Sequence, residues 1–381
     1  MSSILAKLKP EEILLLNIIP LPDGNRKIIK DLITEVEDWD NFIRMANKHG
    51  VIALVYHNIE KSNLFSSVPP EIHNTLKTLY FKSLARNTFL VEKFTELQKN
   101  LESISIKPVV LKGMALEPTV YGNKGLRQMN DIDIYIADKD DCLRAWKHLI
   151  SMGYNSRPQK SALYNDLLLD YGKHLPDLYK DGISYDLHFK LFENDYPVDT
   201  LAVSSGKVNL LIPAHNIHFL YLVKHLDDHE RIGGSQLRLY LDLVQILKTT
   251  GIDPAHMIEP AAKLSLRSVL LEKLFLLNLF WSVPVEKTIT DQLTDKQKTK
   301  AAESFLAFLR NPKGNTGRNK GTSYRRTLKT VPGLKKKIIF LLGDIFPSVS
   351  FMQTRYKTRT RAGACLYYPL RLGKLLLLVK K

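Results

Sequence analysis

The stretch with the sequence DIDIYIA, residues 131–137, alternates strictly between two kinds of side chain. Successive side chains of a β-strand point to opposite faces, so Asp131, Asp133 and Tyr135 share one face and three isoleucines share the other. Asp is disfavoured in strands, and two on one face of an apolar run are unusual. The stretch therefore predicts a strand that buries its isoleucine face and carries two carboxylates on the opposite one.

Two carboxylates in this arrangement suit divalent cations. Alternate residues of a strand lie about 6.5–7 Å apart, and paired catalytic cations lie about 3.5–4 Å apart. Mg²⁺ prefers oxygen ligands and commonly binds one or two carboxylates together with substrate phosphates. Spacing alone leaves two interpretations open. Asp131 and Asp133 bind metal, or they are solvent-facing residues of an amphipathic strand.

A third carboxylate is expected from the segment KHLPDLYKDGISYDLHFKLF, residues 173–192. The Asp-Gly pair at 181–182 predicts a type I′ hairpin, whose second strand places Asp186 and His188 on one face. Asp186 lies between apolar neighbours, where an acid has no packing role. With a two-residue turn, Asp177 would lie opposite Asp186 and is the alternative ligand. His188 either orients a carboxylate, touches the acceptor, or is a half-buried structural histidine.

Upstream, the apolar run at 106–111 predicts a buried strand that ends at Lys112 and Gly113. A glycine lets the backbone approach a phosphate closely, and a helix that begins there presents free N–H groups. Lys112 and Arg127 are candidates to supply positive charge to a triphosphate. The alternatives are a solvent-exposed Lys112 and an Arg127 that forms an ion pair with a nearby acid.

The chain as a whole predicts an α+β fold, in which a small mixed β-sheet core is flanked by N-terminal and C-terminal helical regions. Apolar residues at three- and four-residue spacings predict helices over 1–105 and again over 205–310. Residues 106–204 form the α/β core between them. Residues 311–381 are a basic tail, whose first part, 311–323, reads as a linker or loop.

The order of LKG, YG, GLRQMNDIDIYI and SYDLHF, followed by LIPAHNIHFLYLVKH and RLYLDLVQIL, resembles the uncharacterised nucleotidyltransferase family of the polymerase-beta-like superfamily. The resemblance covers roughly residues 30–270. It implies that Asp131 and Asp133 are metal ligands, that Asp186 is the third carboxylate, and that Gly113 opens the helix facing the nucleotide phosphates. One departure is that Met114 follows Gly113, where the broader superfamily usually has a serine.

The activity implied is Mg²⁺-dependent transfer of an NMP from an NTP to an acceptor hydroxyl on a small molecule, protein or RNA. Two Mg²⁺ ions are expected, with Asp186 helping to activate the acceptor oxygen. The rival hypothesis is a non-catalytic, antitoxin-like or membrane- or nucleic-acid-binding regulatory module on a decayed transferase fold. The absent serine favours the rival, and the three retained carboxylates favour the enzyme.

The net charge of +16 belongs entirely to the tail, which has 17 basic residues and one acid. Its basic clusters stand beside apolar ones, a pattern that suits an anionic membrane surface, a nucleic-acid backbone, or packing on the helical domain. Two distant cysteines and no signal-peptide pattern predict a cytoplasmic protein, with peripheral attachment at the inner membrane surface as a variant. His225 and His229 have zinc-compatible spacing, but structural or acceptor-pocket roles are favoured.

Overall fold

The structure is a computed structural model that describes residues 6–20, 26–163, 167, 169–170, 172–205, 208–312, 328, 331 and 333–373. Most of the predicted linker at 311–323 and the end of the basic tail, 374–381, lie outside the described residues. The fold is α+β with flanking helical regions, as predicted.

The helices of the described residues are, in chain order, α1 (Pro10–Ile18), α2 (Arg26–Thr34), α3 (Trp39–Lys48), α4 (Ile52–Lys61), α5 (Pro70–Glu102), α6 (Lys112–Leu116), α7 (Lys139–Ser151), α8 (His215–Ile232), α9 (Leu237–Thr250), α10 (Ile258–Lys263), α11 (Arg267–Trp281), α12 (Lys287–Thr290), α13 (Asp295–Arg310), α14 (Leu334–Ile345), α15 (Val349–Tyr356) and α16 (Arg361–Cys365). The strands are β1 (Val109–Val110), β2 (Asp131–Tyr135), β3 (Asn155–Ser156), β4 (Leu178–Lys180), β5 (Ile183–His188), β6 (Thr200–Ser205) and β7 (Val208–Pro213).

Contacts divide the chain into two compact units, and each unit is assembled from separate segments. The first unit comprises Met1–Lys99, Val109–Asn130 and Asn194–Asn315. The second unit comprises Asn100–Pro108, Asp131–Glu193 and Thr316–Lys381. The division into four consecutive segments made from the sequence stays a prediction.

In the first unit, β1 runs parallel to β7, and β7 runs antiparallel to β6. Strand β7 occupies Val208–Pro213, inside the segment 205–310 that was predicted to be helical, and helix α8 begins at His215. The sequence VNLLIP is a short apolar run next to a long helix. A run of that length does not distinguish a buried strand from a buried helical turn by periodicity.

In the second unit, the strands lie in the order β3-β4-β5-β2. The β4–β5 hairpin is closed by Asp181 and Gly182, whose φ angles of 52° and 73° are those of a type I′ turn, as predicted. Strand β5 pairs in parallel with β2. A parallel pair needs a long crossover connection, and α7 supplies its helix and packs against β5.

Helix α7 is positioned by signals that the sequence carries. The Asp138 side chain accepts a hydrogen bond from the backbone N–H of Asp141, so Asp138 is the N-cap. The buried face consists of Cys142, Ala145 and Leu149. Two of these three side chains are small, which permits close packing of the helix against the sheet.

Candidate active site

The three predicted carboxylates come together on one face of the second unit. The register of the parallel pair sets Asp133 beside Asp186 and Asp131 beside Ser184. Neighbouring strands lie about 4.8 Å apart, and residues in register on parallel strands share a face. Asp133 is 2% exposed, whereas Asp131 and Asp186 are half-buried. The acids therefore form a compact cluster that a ligand can reach through two of its members.

The opposite face of the same two strands is a core layer. It consists of five side chains that are at most 1% exposed, namely Ile132, Ile134, Ile183, Tyr185 and Leu187. Because side chains alternate between faces, burial of this layer fixes the acids on the other side. A one-residue slip in register would bury the carboxylates and expose the apolar layer.

Two polar side chains of β5 bind the carboxylates. The Ser184 hydroxyl donates to Asp186 Oδ1 at 3.1 Å. His188 Nε2 lies 3.1 Å from Asp133 Oδ1, and an ionised carboxylate only accepts, so the imidazole is the donor. Of the roles that the sequence left open for His188, this contact corresponds to orientation of a carboxylate.

The face that carries the acids also carries Tyr179, an aromatic residue that the sequence analysis missed. The register runs from Asp131 to Ser184, to Tyr179 and to Asn155, all on the same face. The guanidinium carbon of the exposed Arg157 lies 4.6 Å from the centre of the Tyr179 ring. The register of the predicted hairpin could have identified it, because this register pairs Tyr179 with Ser184, and Ser184 is two residues before Asp186.

Asp177 does not take the position opposite Asp186 that the two-residue turn predicted. Strand β4 begins at Leu178. His174 forms a bridge with His188, whereas the register of the hairpin would place Leu175 opposite His188. The pairing thus shifts by one residue around Pro176. The Asp177 side chain instead accepts a hydrogen bond from the Tyr179 hydroxyl at 3.2 Å.

In the first unit, Arg127 forms a buried ion pair with Asp242 of α9. Nε and Nη2 of Arg127 donate to the two carboxylate oxygens of Asp242 at 2.9 and 2.7 Å, and the Tyr121 hydroxyl donates to Asp242 Oδ1 at 2.9 Å. Burial, reinforced by Asp242, raises the pKa of Tyr121 well above its usual value. Arg127 is 5% and Asp242 0% exposed. The ion-pair alternative for Arg127 is the arrangement observed.

Arg127 also explains the glycine at 113. A Cβ atom built at Gly113 would lie 2.2 Å from Nη1 of Arg127 and 2.8 Å from the Met129 side chain. Any larger residue would have to displace the guanidinium that Asp242 holds. Packing therefore accounts for this glycine, and its predicted approach to phosphate stays a prediction.

Lys112 adopts a left-handed backbone conformation, with φ of 50°. Its backbone N–H donates to Nε2 of the buried His218 at 3.2 Å, which requires a neutral imidazole. Burial, together with the charges of His215 and Arg127, lowers the pKa of His218 to about 3. Helix α6 begins at Lys112, one residue before the predicted start, and is only five residues long.

The predicted residues therefore divide between the two units. Asp131, Asp133 and Asp186 belong to the second unit, and Lys112, Gly113 and Arg127 belong to the first. The expectation that all of them meet one triphosphate stays a prediction. Among the described residues, no group of three or more His, Cys, Asp or Glu side chains is arranged so that it could hold a metal ion by itself.

The family of the chain was established by comparison with known proteins. The model of the family described as uncharacterised nucleotidyltransferase matches residues 35–282. No match was found among curated proteins, and none among solved structures. The matched region includes all three carboxylates and parts of both units, and it spans well over half of the chain. The chain therefore belongs to the uncharacterised nucleotidyltransferase family. Membership of this family supports a general role of the chain in nucleotidyl transfer.

Proposed function

We propose that the protein transfers an NMP from an NTP to an acceptor hydroxyl in a Mg²⁺-dependent reaction. The observation that carries this proposal is the clustering of Asp131, Asp133 and Asp186 on one face of two parallel strands. Buried carboxylates are costly unless they bind a cation or hydrogen-bond donors. Their arrangement over a sheet whose other face is all apolar supports a functional site.

The donor set fits Mg²⁺ by its chemistry. All three side chains offer hard oxygen ligands, and Asp131 and Asp186 are open enough to accept a ligand from solvent. Because no group of three or more such side chains among the described residues could hold a metal ion, the chain would supply fewer than three ligands to each cation, and the triphosphate and water would supply the rest. When bound there, Mg²⁺ would neutralise phosphate charge and favour ionisation of the acceptor hydroxyl.

The residues of the chain would then have distinct roles. Asp131 and Asp133 hold the cations, and His188 fixes the orientation of Asp133 through its 3.1 Å contact. Asp186, which is half-buried, would accept the proton of the acceptor hydroxyl. Ser184 orients Asp186 by donating to one of its oxygens.

Tyr179 and Arg157 supply a surface for the nucleotide beside these acids. Tyr179 lies two strands from Asp131 in the same row, about 10 Å away at the usual strand spacing. A planar ring stacks on nucleobases, and an exposed guanidinium binds phosphate or stacks on the base. We assign nucleotide contact to this pair.

The test is transfer of label from each NTP into cell-extract acceptors, with Mg²⁺ present. The Asp131→Asn, Asp133→Asn double variant should lose at least about a thousandfold in rate, because both cation ligands are weakened. Asp140→Asn on the exposed first turn of α7 is the matched control and should keep the native rate. Unchanged labelling by the double variant would refute the proposal.

One observation favours the rival, a non-catalytic module on the same fold. His188 already engages Asp133, and the described residues contain no closed metal group. Calorimetric titration with Mg²⁺ and each NTP separates the two hypotheses. Binding of at least one NTP only when Mg²⁺ is present supports the enzyme, and no binding of any NTP supports the rival.

A further inference from the structure

Helix α14, in the second unit, has two apolar faces. One face packs inward: Ile339 and Phe340 lie against Leu167 and Val331. Asp344, on the same side, is 0% exposed and forms an ion pair with Lys160. A helix held in this way has already buried the apolar stripe that it needs for folding.

The other face is apolar and open to solvent. Four large side chains at intervals of four residues have high exposed fractions, namely Leu334 at 76%, Ile338 at 46%, Leu342 at 41% and Phe346 at 61%. At 3.6 residues per turn, residues four apart lie on one side of the helix. Leu341 and Ile345, both half-buried, extend the same stripe. Scattered exposed apolar residues are normal, but a continuous row of them marks an interaction surface.

Lysines flank this stripe on both sides. At about 100° per residue, Lys335 and Lys337 project from opposite edges of the row. Neither has an ion-pair partner among the described residues. Lys336 lies on the packed side, where it binds Asp170 at 3.1 Å. Lys335 and Lys337 are thus the two lysines of this helix that remain available to a ligand.

The charge of the surrounding segment has one sign. Residues 333–373 contain eight Lys or Arg and one acid, and that acid is the buried Asp344. The exposed side chains of this segment include Arg355, Lys357 and Arg361 and two more large apolar residues, Leu366 at 80% and Leu370 at 50% exposed. The exposed charge of the segment is therefore entirely positive.

We propose that the open face of α14 binds the surface of an anionic lipid bilayer, with its apolar row in the interface and the flanking lysines on lipid phosphates. This combination of one apolar stripe and basic edges is that of an interfacial helix. The helix has twelve residues, about 18 Å in length, and cannot span a hydrocarbon core of about 30 Å. No helix among the described residues is long and apolar enough to cross a membrane.

A bilayer explains the features better than the other occupants. A nucleic acid would use the lysines but would leave the apolar row in water, since counterion release depends on charge alone. A second copy of the chain would bring its own lysines to the same surface and place like charges together. An anionic bilayer provides phosphates for the lysines and an apolar interior for the exposed row.

The test is co-sedimentation of the full chain with vesicles. We expect binding to phosphatidylcholine vesicles with about 30% phosphatidylglycerol, little binding to phosphatidylcholine alone, and weakening in high salt. The Ile338→Gln, Leu342→Gln and the Lys335→Gln, Lys337→Gln double variants should each lower the partition coefficient about tenfold or more.

Matched controls use residues of the same type outside the tail. Ile28→Gln with Ile232→Gln changes two exposed aliphatic residues, and Lys296→Gln with Lys300→Gln changes two exposed lysines of α13. Both control variants should bind vesicles as the native chain does. Circular dichroism and thermal unfolding confirm that every variant is folded.

Three results would overturn the proposal. The first is equal binding of tail and control variants to the anionic vesicles. The second is tighter, salt-sensitive binding to duplex DNA or RNA that only the lysine variant loses. The third is self-association in sedimentation velocity that the Ile338, Leu342 variant abolishes. None of these readouts involves nucleotidyl transfer, so they are independent of the proposed activity.

Discussion

Two clusters among the described residues, one built around Asp242 and one around Asp131, Asp133 and Asp186, differ in what surrounds their carboxylates. Asp242 in the first unit receives two hydrogen bonds from Arg127 and one from Tyr121, and its side chain is fully buried. In the second unit, Asp133 contacts His188, while Asp131 and Asp186 keep part of their surface open. The first cluster balances its charge internally and is typical of structural ion pairs. The second brings three acids to one face of a sheet with two of them partly open to solvent, and our proposal assigns cation binding to them.

The largest expected effect tests the second cluster. Asp186→Asn should reduce NMP transfer by about a thousandfold or more, because Asp186 is assigned both a cation contact and the acceptor proton. Its free energy of unfolding should fall by less than about 1 kcal/mol, since the half-buried amide can still accept from Ser184. Parallel rate measurements and urea titrations check both statements. A large loss of unfolding free energy together with an unchanged rate per folded molecule would contradict both statements and make Asp186 a structural residue.

The first cluster should show the opposite behaviour. Arg127→Met or Asp242→Leu alone leaves a buried charge without its partner, and we expect each to cost about 3–5 kcal/mol of unfolding free energy. The double variant replaces both charges with apolar groups and should cost clearly less than the sum of the single variants. A double-mutant cycle in urea measures the difference. Additive losses of less than about 1 kcal/mol each, together with lost NTP binding, would instead make Arg127 a phosphate ligand.

The sequence predicted the strands that carry the second cluster but not the ion pair of the first. The alternation of DIDIYI and the Asp-Gly turn are local signals, and they predicted β2, β5 and the β4–β5 hairpin correctly. Helical spacing favours Arg238, four residues before Asp242, as its ion-pair partner, but Asp242 binds Arg127 at a separation of 115 residues. Arg238 donates instead to Gln236 and to the carbonyl of Gln128.

Long-range pairing leaves no periodic trace, so the sequence could predict only that Asp242 needs a cation. The acid stands within LYLDLVQIL, with apolar residues on every side, and a buried carboxylate requires a charged or donating partner. Gly113 is a similar case. Its sequence context suggested a phosphate-binding turn, whereas the structure shows the Arg127 guanidinium in the space that a side chain would fill.

A smaller effect is expected beside the acidic face. Arg157→Gln should raise the KM for NTP about tenfold and change kcat little, because it removes a ground-state contact with the nucleotide. Arg144→Gln is the control, since Arg144 is also exposed but binds Asp141 and the carbonyl of Ile104. Steady-state kinetics of both variants provide the measurement. An unchanged KM would remove Arg157 from the nucleotide surface.

The smallest effect concerns pH and the first unit. Burial lowers the pKa of His218 to about 3, below the usual value of about 6.5 in an unfolded chain. Between these values the unfolded chain binds a proton that the folded chain does not, so the free energy of unfolding falls as pH falls. His49, whose pKa burial lowers to about 4, contributes in the same direction.

His218→Gln should flatten this dependence by up to about 1 kcal/mol per pH unit between about pH 6 and 4, without abolishing it. Gln retains an acceptor for the Lys112 N–H but has no titrating group. Urea unfolding at several pH values measures the slopes. Equal slopes for the native chain and the variant would show that His218 is not buried as a neutral base.

Divalent-cation binding is the most direct test of the contrast between the two clusters. Electron paramagnetic resonance of free Mn²⁺, titrated with the protein and a non-hydrolysable NTP analogue, reports occupancy without any acceptor. We predict Mn²⁺ binding by the native chain and by Asp140→Asn, and binding at least about tenfold weaker for Asp131→Asn with Asp133→Asn. Equal Mn²⁺ binding by all three proteins would contradict the assignment of a metal site to β2 and β5.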